Sequence, residues 1–229
     1  MSQRRDTATI NADPRLRVRI VSDALPWERC DVPGAMWKVL EHNGRMPGRY
    51  TALMRWDERQ PLDLHVHEAG EEVLVLDGSF DDEHGEYGAG AYVRNPPGST
   101  HRPTTHAGCL MLVKSRQMTS EDRLRVVVDT RRAQWMAGVG EEVSVLPLYQ
   151  RGGENVSLVR LAKDSRQIPH RHLGGEEIYV ISGSLRDEFG EHRAGTWLRY
   201  PAMSSHEPRS ERGCLLYVKS GHLASARAA

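Results

Sequence analysis

The sequence is short of several things, and each shortage removes a class of explanation. Its 229 residues include only three cysteines, Cys30, Cys109 and Cys214. They are too few and too scattered for a disulfide framework, and no Cys-x-x-Cys pair is there to hold zinc. No apolar run approaches the ~20 residues that cross a bilayer, and the polar stretch from Met1 to Ile10 lacks the apolar core of a signal peptide. Net charge is missing as well, since 31 Lys+Arg balance 31 Asp+Glu. Without a basic excess there is no electrostatic footprint for nucleic acid. These absences predict a chain of the reducing cytoplasm, with neither nucleic acid nor membrane as its partner.

What is present is an ordinary globular mix, 38% hydrophobic and 27% charged, in a length that suits one large or two modest domains. Histidine is the exception: there are 11, and most fall in two clusters. The reason is a repeat. Sliding the chain by 105 positions aligns residues 65–114 with 170–219 without a gap, and 24 of the 50 positions are identical. The identities include His65/His170, His67/His172, Glu71/Glu176, Gly78/Gly183, Gly90/Gly195, Pro96/Pro201, His101/His206 and Cys109/Cys214. Upstream the offset becomes 108, where Arg15–Val18 recurs as Arg123–Val126 and Trp27 answers Trp135. Two units follow, 15–116 and 123–221, joined by the polar residues 117–122, each long enough for one small core.

The pattern within each unit reads as β. Short alternating or apolar runs predict strands at Leu16–Val21, Ala35–Leu40, Tyr50–Trp56, Leu62–His67, Glu71–Leu76, Ala91–Arg94 and Cys109–Lys114. The second half offers Leu124–Val128, Val143–Leu148, Val156–Leu161, Glu177–Ile181, Thr196–Tyr200 and Cys214–Lys219. Asp77-Gly78, His84-Gly85, Pro96-Pro97-Gly98 and Arg151-Gly152-Gly153 read as the turns between them. No window has a helical period. Many short strands at this spacing predict barrels or sandwiches.

One constellation carries chemistry. His65 and His67 are two apart on a strand and so share a face. A short turn follows, Glu71 opens the next strand, and the turn Pro96–Thr100 delivers His101. Three neutral imidazoles and a carboxylate suit zinc, iron or another first-row divalent ion. His170, His172, Glu176 and His206 repeat the set. Glu72 and Glu177 adjoin the two glutamates, so either member of each pair could be the ligand. Of the remaining histidines, His84, His106 and His192 break the repeat symmetry and read as solvated surface. Arg94 and Arg199 could point into a pocket to hold an anion, with a surface or ion-pair role as the alternative. Cys109 and Cys214 lie on apolar strands and are expected in the core; the five tryptophans read as core or lining residues.

His-x-His, three residues, Glu, six residues and Gly resembles the first cupin motif, and His65 to Gly78 matches it in full. Gly90, Pro96, Gly98 and His101 resemble the second motif, with Thr105 where an Asn is frequent. Gly195, Pro201 and His206 match it again, with Met203 in place of the turn glycine, which puts that turn's geometry in question. The runs Gly70–Leu76, Asp82–Gly85, Arg94–Ser99 and Gly108-Cys109 are similar to the cupin domain of ChrR-type anti-sigma factors. The resemblance covers nearly the whole chain, once per half.

That resemblance implies a bicupin, two jelly-roll β-barrels packed side by side, with the N-terminal strand of each unit able to cross onto its neighbour. The motif spacing selects Glu71 and Glu176 over Glu72 and Glu177, which strand alternation would then turn outward. The implied cofactor is zinc, one ion per barrel and two per chain, with iron or another transition metal as the alternative. The family's helical sigma-binding zinc domain has no counterpart in the sequence, so sigma-factor binding is not expected; a small-molecule ligand and a homo-oligomer are compatible with it. The expected function is a metal-binding sensory or regulatory protein. Its rival is an Fe(II)-dependent cupin dioxygenase acting on a small diketone or aryl ketone.

Overall fold

The structure, a computed structural model, describes residues 8–140 and 142–224, and of Gln60 the backbone alone. It is built from antiparallel strands; among the described residues the one helical element is the 3₁₀ turn Ser22–Ala24. Among the described residues no helix is long and apolar enough to cross a membrane. The chain forms two compact units, each a jelly-roll β-barrel, and neither is continuous in sequence: one takes residues 8–12 and 25–132, the other 13–24 and 133–224.

In the first unit the main sheet runs in the order Thr9–Ile10, Ala35–Asn43, Tyr50–Trp56, Cys109–Ser115, Glu71–Asp82, Ala91–Asn95 and Val126–Asp129. The second repeats this from Met136–Ala137 through Val143–Arg151, Glu154–Leu161, Cys214–Ser220, Glu176–Asp187 and Thr196–Tyr200 to Val18–Val21. The last strand of each sheet is therefore the first strand of the other sequence repeat: Val126–Asp129 pairs with Ala91–Asn95, and Val18–Val21 with Thr196–Tyr200. This is the crossing of N-terminal strands that the resemblance implied.

Alternation along the strands decides what each barrel contains. Val73, Val75, Phe80, Val93, Cys109, Met111 and Val113 turn inward and pack with Met54 and Trp56. Ile178, Val180, Leu185, Leu198, Cys214 and Leu216 do so in the second unit. Each fully buried side chain of this size contributes about 1.5–3 kcal/mol. The cysteines are thus core residues, as their strands suggested. Trp56 and Trp197 are buried, whereas Trp27 and Trp135 are half-buried and lie under arginine guanidinium groups at 4.8 Å and 4.1 Å.

One predicted turn is not a turn. Asp77-Gly78 was expected to separate strands, yet Glu71–Asp82 is a single strand of 12 residues. Gly78 has a φ of +69°, and a Cβ there would stand 2.1 Å from the Gly108 carbonyl oxygen. The glycine permits a bulge against Cys109–Ser115, whose register shifts between Leu110 and Met111, so the strand bends and continues. His84-Gly85 does behave as a hairpin turn, with Asp82 opposite Gly85.

Candidate metal centres

The site is set by a two-stranded ribbon in each barrel. His65–His67 pairs antiparallel with Ser99–His101 in a register that places His65 directly across from His101. His67 lies two residues along, on the same face. The second ribbon places His170 across from His206. The imidazole rings of His65, His67 and His101 are each 4.8 Å from one another, centre to centre, and those of His170, His172 and His206 are 4.7–4.9 Å apart.

Their nitrogens are aimed inward. His65 Nδ1 lies 3.1 Å from the Asp63 carbonyl and His170 Nδ1 3.2 Å from the Ile168 carbonyl. A carbonyl can only accept, so these Nδ1 atoms carry the proton and leave Nε2 as the free lone pair. His67 and His101 face each other through Nε2 at 2.9 Å, His170 and His206 at 3.2 Å. The ligand atoms of His65, His67 and His101 lie within 4.8 Å of one another, as do those of His170, His172, Glu176 and His206. Glu71 stands just outside the tight cluster of the first set, its Oε2 3.7 Å from His67 Nε2. Glu176 is 3.6 Å from His172 Nδ1 and 3.7 Å from His206 Nε2.

The turn in doubt is kept. Met203 adopts a φ of +68°, beside +82° at Gly98 in the first barrel. It therefore accepts the left-handed strain that glycine avoids, and His206 arrives across from His170.

Electrostatics fit a resident cation. Burial pushes the His172 imidazole down to about 3, with His206 and His170 adding to it, and it also lowers His67 and His170. These rings are neutral at pH 7 and available as ligands. Burial pushes the Glu176 carboxyl up to about 8; a divalent ion would supply the positive charge that its carboxylate form needs. Three imidazoles with one carboxylate in each barrel make a donor set for a first-row divalent metal.

Glu72 and Glu177 face away from these clusters. Arg94 Nη1 donates to Glu72 Oε2 at 2.6 Å and its Nη2 to Asp122 Oδ2 at 2.8 Å; Arg199 Nε donates to Glu177 Oε1 at 3.0 Å. The suggestion that Arg94 and Arg199 hold an anion in the pocket does not stand. Each sits opposite its glutamate in register, on the sheet face away from the histidines. Both arginines are buried ion-pair residues.

His84 and His106 are exposed, as expected, but His192 is not. It is fully buried and 2.9 Å from Asp187 Oδ1 through Nε2. At the aligned position, the Tyr87 hydroxyl donates to Asp82 Oδ1 at 2.9 Å. These two aspartates are the residues that sequence reasoning missed: Asp82 Oδ2 is 2.9 Å from Nδ1 of His101. Burial opposes their ionisation, yet the hydrogen bonds they accept prevail and hold both below the usual carboxylate range. A signal was available, since Asp82 and Asp187 recur in the repeat and lie two residues beyond the inward-facing Phe80 and Leu185. Tyr200 was also missed; its ring centre is 4.3 Å from that of His206.

Beside each cluster is a cavity of about 70 Å³. The first is lined by Tyr50, Met54, Trp56, Phe80 and Met111 together with His65, Glu71 and His101. The second is aliphatic, with Val159, Leu161, Ile178 and Leu216 around His170, Glu176 and His206.

Comparison with known proteins agrees with this architecture. The family profile described as the ChrR cupin-like domain matches twice, over residues 16–119 and 123–224. No curated protein matches the sequence. Among solved structures, a candidate dioxygenase from Nostoc punctiforme is similar over 93% of this chain and 85% of its own, at 13% identity and a TM-score of 0.77. A candidate glyoxylate-induced protein from Pseudomonas aeruginosa is similar over 98% of this chain and 93% of its own, at 12% identity and a TM-score of 0.74. The Bacillus subtilis oxalate decarboxylase, described with Mn(II) centres, covers 94% of this chain and 78% of its own length, at 13% identity and a TM-score of 0.64. At such identities the likeness is one of fold.

Proposed function

Because the chain belongs to the ChrR cupin-like family, we propose that it is a metal-binding bicupin of sensory or regulatory type, which receives a small molecule beside a resident divalent ion. His65, His67, Glu71 and His101 hold one ion, and His170, His172, Glu176 and His206 hold the second, with zinc the preferred metal. The observation that carries this reading is the convergence of three imidazoles in each barrel, His67, His101, His172 and His206 buried and His65 and His170 half-buried, with Nε2 atoms facing each other at 2.9 Å and 3.2 Å. One hydrogen bond can satisfy two of these nitrogens, but a third imidazole converging on the same point calls for a cation to share. Bound there, the metal would supply a Lewis-acidic position for an oxygen or nitrogen of the ligand. The chain's own contribution is to orient the imidazoles, exclude bulk water and shape the cavity. The test is elemental analysis of protein purified without added metal. Zinc retained through dialysis, with no turnover of small carbonyl compounds, supports the reading; a metal-free, fully folded protein that takes up no divalent ion overturns it.

A second reading has one observation in its favour, the aromatic and thioether lining of the first cavity. Tyr50, Trp56, Phe80, Met54 and Met111 make a wall suited to a flat or apolar organic group beside His65, Glu71 and His101. With Fe(II) in place of zinc, the same site would suit a dioxygenase acting on a small diketone or aryl ketone. Oxygen uptake by the iron-loaded protein with such a compound, abolished by chelation, would select this reading over the first.

A further inference from the structure

The two centres have the same ligands but not the same support. In the first barrel, Asp82 accepts three hydrogen bonds. The His84 backbone N–H and the Tyr87 hydroxyl reach Oδ1 at 2.8 Å and 2.9 Å, and His101 Nδ1 reaches Oδ2 at 2.9 Å. In the second barrel Oδ1 of Asp187 is matched partner for partner, with the Phe189 backbone N–H at 2.8 Å and His192 Nε2 at 2.9 Å. The other oxygen differs. The Tyr200 hydroxyl donates to Asp187 Oδ2 at 2.5 Å, and His206 Nδ1 stands 3.7 Å away, beyond hydrogen-bond reach. Residue 200 aligns with Asn95, so one substitution between the repeats places a competing donor on this carboxylate.

An arginine from the crossed strand region stands near each aspartate. Arg125 Nη2 is 3.8 Å from Asp82 Oδ2 and donates to the Tyr87 hydroxyl at 2.7 Å. Arg17, its counterpart in the repeat, has Nη2 4.0 Å from Asp187 Oδ2, and its guanidinium lies 3.4 Å from the centre of the Phe189 ring. The carboxylate is thus fixed in each barrel, and its second oxygen goes to the histidine in one and to a tyrosine in the other.

We infer that Asp82 is a positioning residue for His101, and that Tyr200 withholds the equivalent support from His206, so that the first centre binds metal more tightly than the second. A carboxylate accepting from Nδ1 fixes the tautomer that leaves Nε2 free, holds the ring's angle and makes the nitrogen a better donor. An imidazole without that partner must be ordered when the metal arrives. Loss of such an outer partner weakens metal binding by about 10–100-fold, and the two centres should differ by that order. This inference rests on the proposed metal-binding reading.

The experiment measures Zn(II) affinity by chelator competition on the full-length metal-free chain, one centre at a time. H170A/H172A isolates the first centre and H65A/H67A the second. Wild-type ligand sets that take up no zinc in either background would defeat the metal reading itself, before the present inference is reached. Given binding, Asp82→Asn should weaken the first centre by about 10–100-fold, and Asp187→Asn should change the second by less than about threefold. Tyr200→Phe removes the competing hydroxyl while keeping the ring, and should tighten the second centre. It is also the check should Asp82→Asn fail to fold. The proton on His101 Nδ1 gives a readout independent of metal, a hydrogen-bonded imidazole NMR signal present in the metal-free wild type and lost in Asp82→Asn. Equal effects of the two Asp→Asn changes, or a second centre that Tyr200→Phe leaves unchanged or weaker, would overturn the inference.

Discussion

Exchanging the adjacent carboxylates Glu71 and Glu72 for glutamine, one at a time, should separate metal binding from folding. Glu72 is 3% exposed and receives Arg94 Nη1 at 2.6 Å, with Arg94 itself 1% exposed. Removing one charge of a buried pair costs about 3–5 kcal/mol when the other is left alone, but here Arg94 keeps Asp122 at 2.8 Å. With that second partner, and with the acceptor that glutamine keeps, Glu72→Gln belongs below that range, at about 1.5–3 kcal/mol for a weakened hydrogen bond to a charged group. At about 4–8 °C per kcal/mol for a barrel of this size unfolding alone, the melting temperature should fall by roughly 6 °C or more. Metal uptake at the first centre should survive, because Glu72 lies on the opposite face of its strand. Glu71→Gln should do the reverse. It is only 3.7 Å from His67 Nε2, and losing a direct ligand should cost more than the roughly 10–100-fold typical of an outer partner, with little change in the melting temperature of the metal-free protein. Differential scanning fluorimetry and zinc titration on the same samples read both effects. Equal loss of metal from the two variants, or a Glu72→Gln protein as stable as wild type, would refute the strand-parity reasoning.

Three further outcomes follow from individual groups. Met203→Gly should stabilise the protein, since relief of about 1–2 kcal/mol of left-handed strain outweighs the roughly 0.4–1 kcal/mol of added unfolded-chain freedom; a lower melting temperature would contradict this. Burial pushes the Cys109 thiol up to about 12 and raises Cys214, so neither should react with a thiol reagent on the native protein at pH 8, and both should do so once it is unfolded. In metal-free protein, Glu176 has its folded pKa raised to about 8 above an ordinary 4.5, so the folded state binds the extra proton and this group's stabilisation is lost as pH rises from about 4.5 through 8. His172, lowered to about 3 from 6.5, acts on the other side, with stability lost as pH falls below 6.5. Thermal melts of the metal-free chain should therefore decline from pH 6.5 to 8.5, and zinc should abolish that decline; a flat profile without metal would count against the buried carboxyl.

The fold was legible because its signals are local and doubled. His65 and His67 share a strand face by parity alone, and the repeat of the same spacing at His170 and His172 removed chance as the explanation. What was not legible depended on geometry that pattern does not carry. Gly78 looked like a turn, but its positive φ serves a bulge, so Asp82 was not seen as the continuation of the strand that begins at Glu71. His192 was read as surface because it aligns with Tyr87, although imidazole and phenol do the same work there by donating to an aspartate. Arg94 could be assigned a face only once Glu72 was seen opposite it in register. Tyr200 falls at a position where the repeats differ, and no symmetry argument points to it.

The central claim is that each chain carries two independent metal centres of like composition, and counting metals tests it most directly. The measurement is zinc per chain by elemental analysis after saturation and dialysis, for the wild type, for His65 and His67 replaced together by alanine, and for His170 and His172 replaced together. By the ligand count, stoichiometry should be about two in the wild type and about one in either double variant. A double variant that stays folded and loses all its metal, or keeps all of it, would contradict the account.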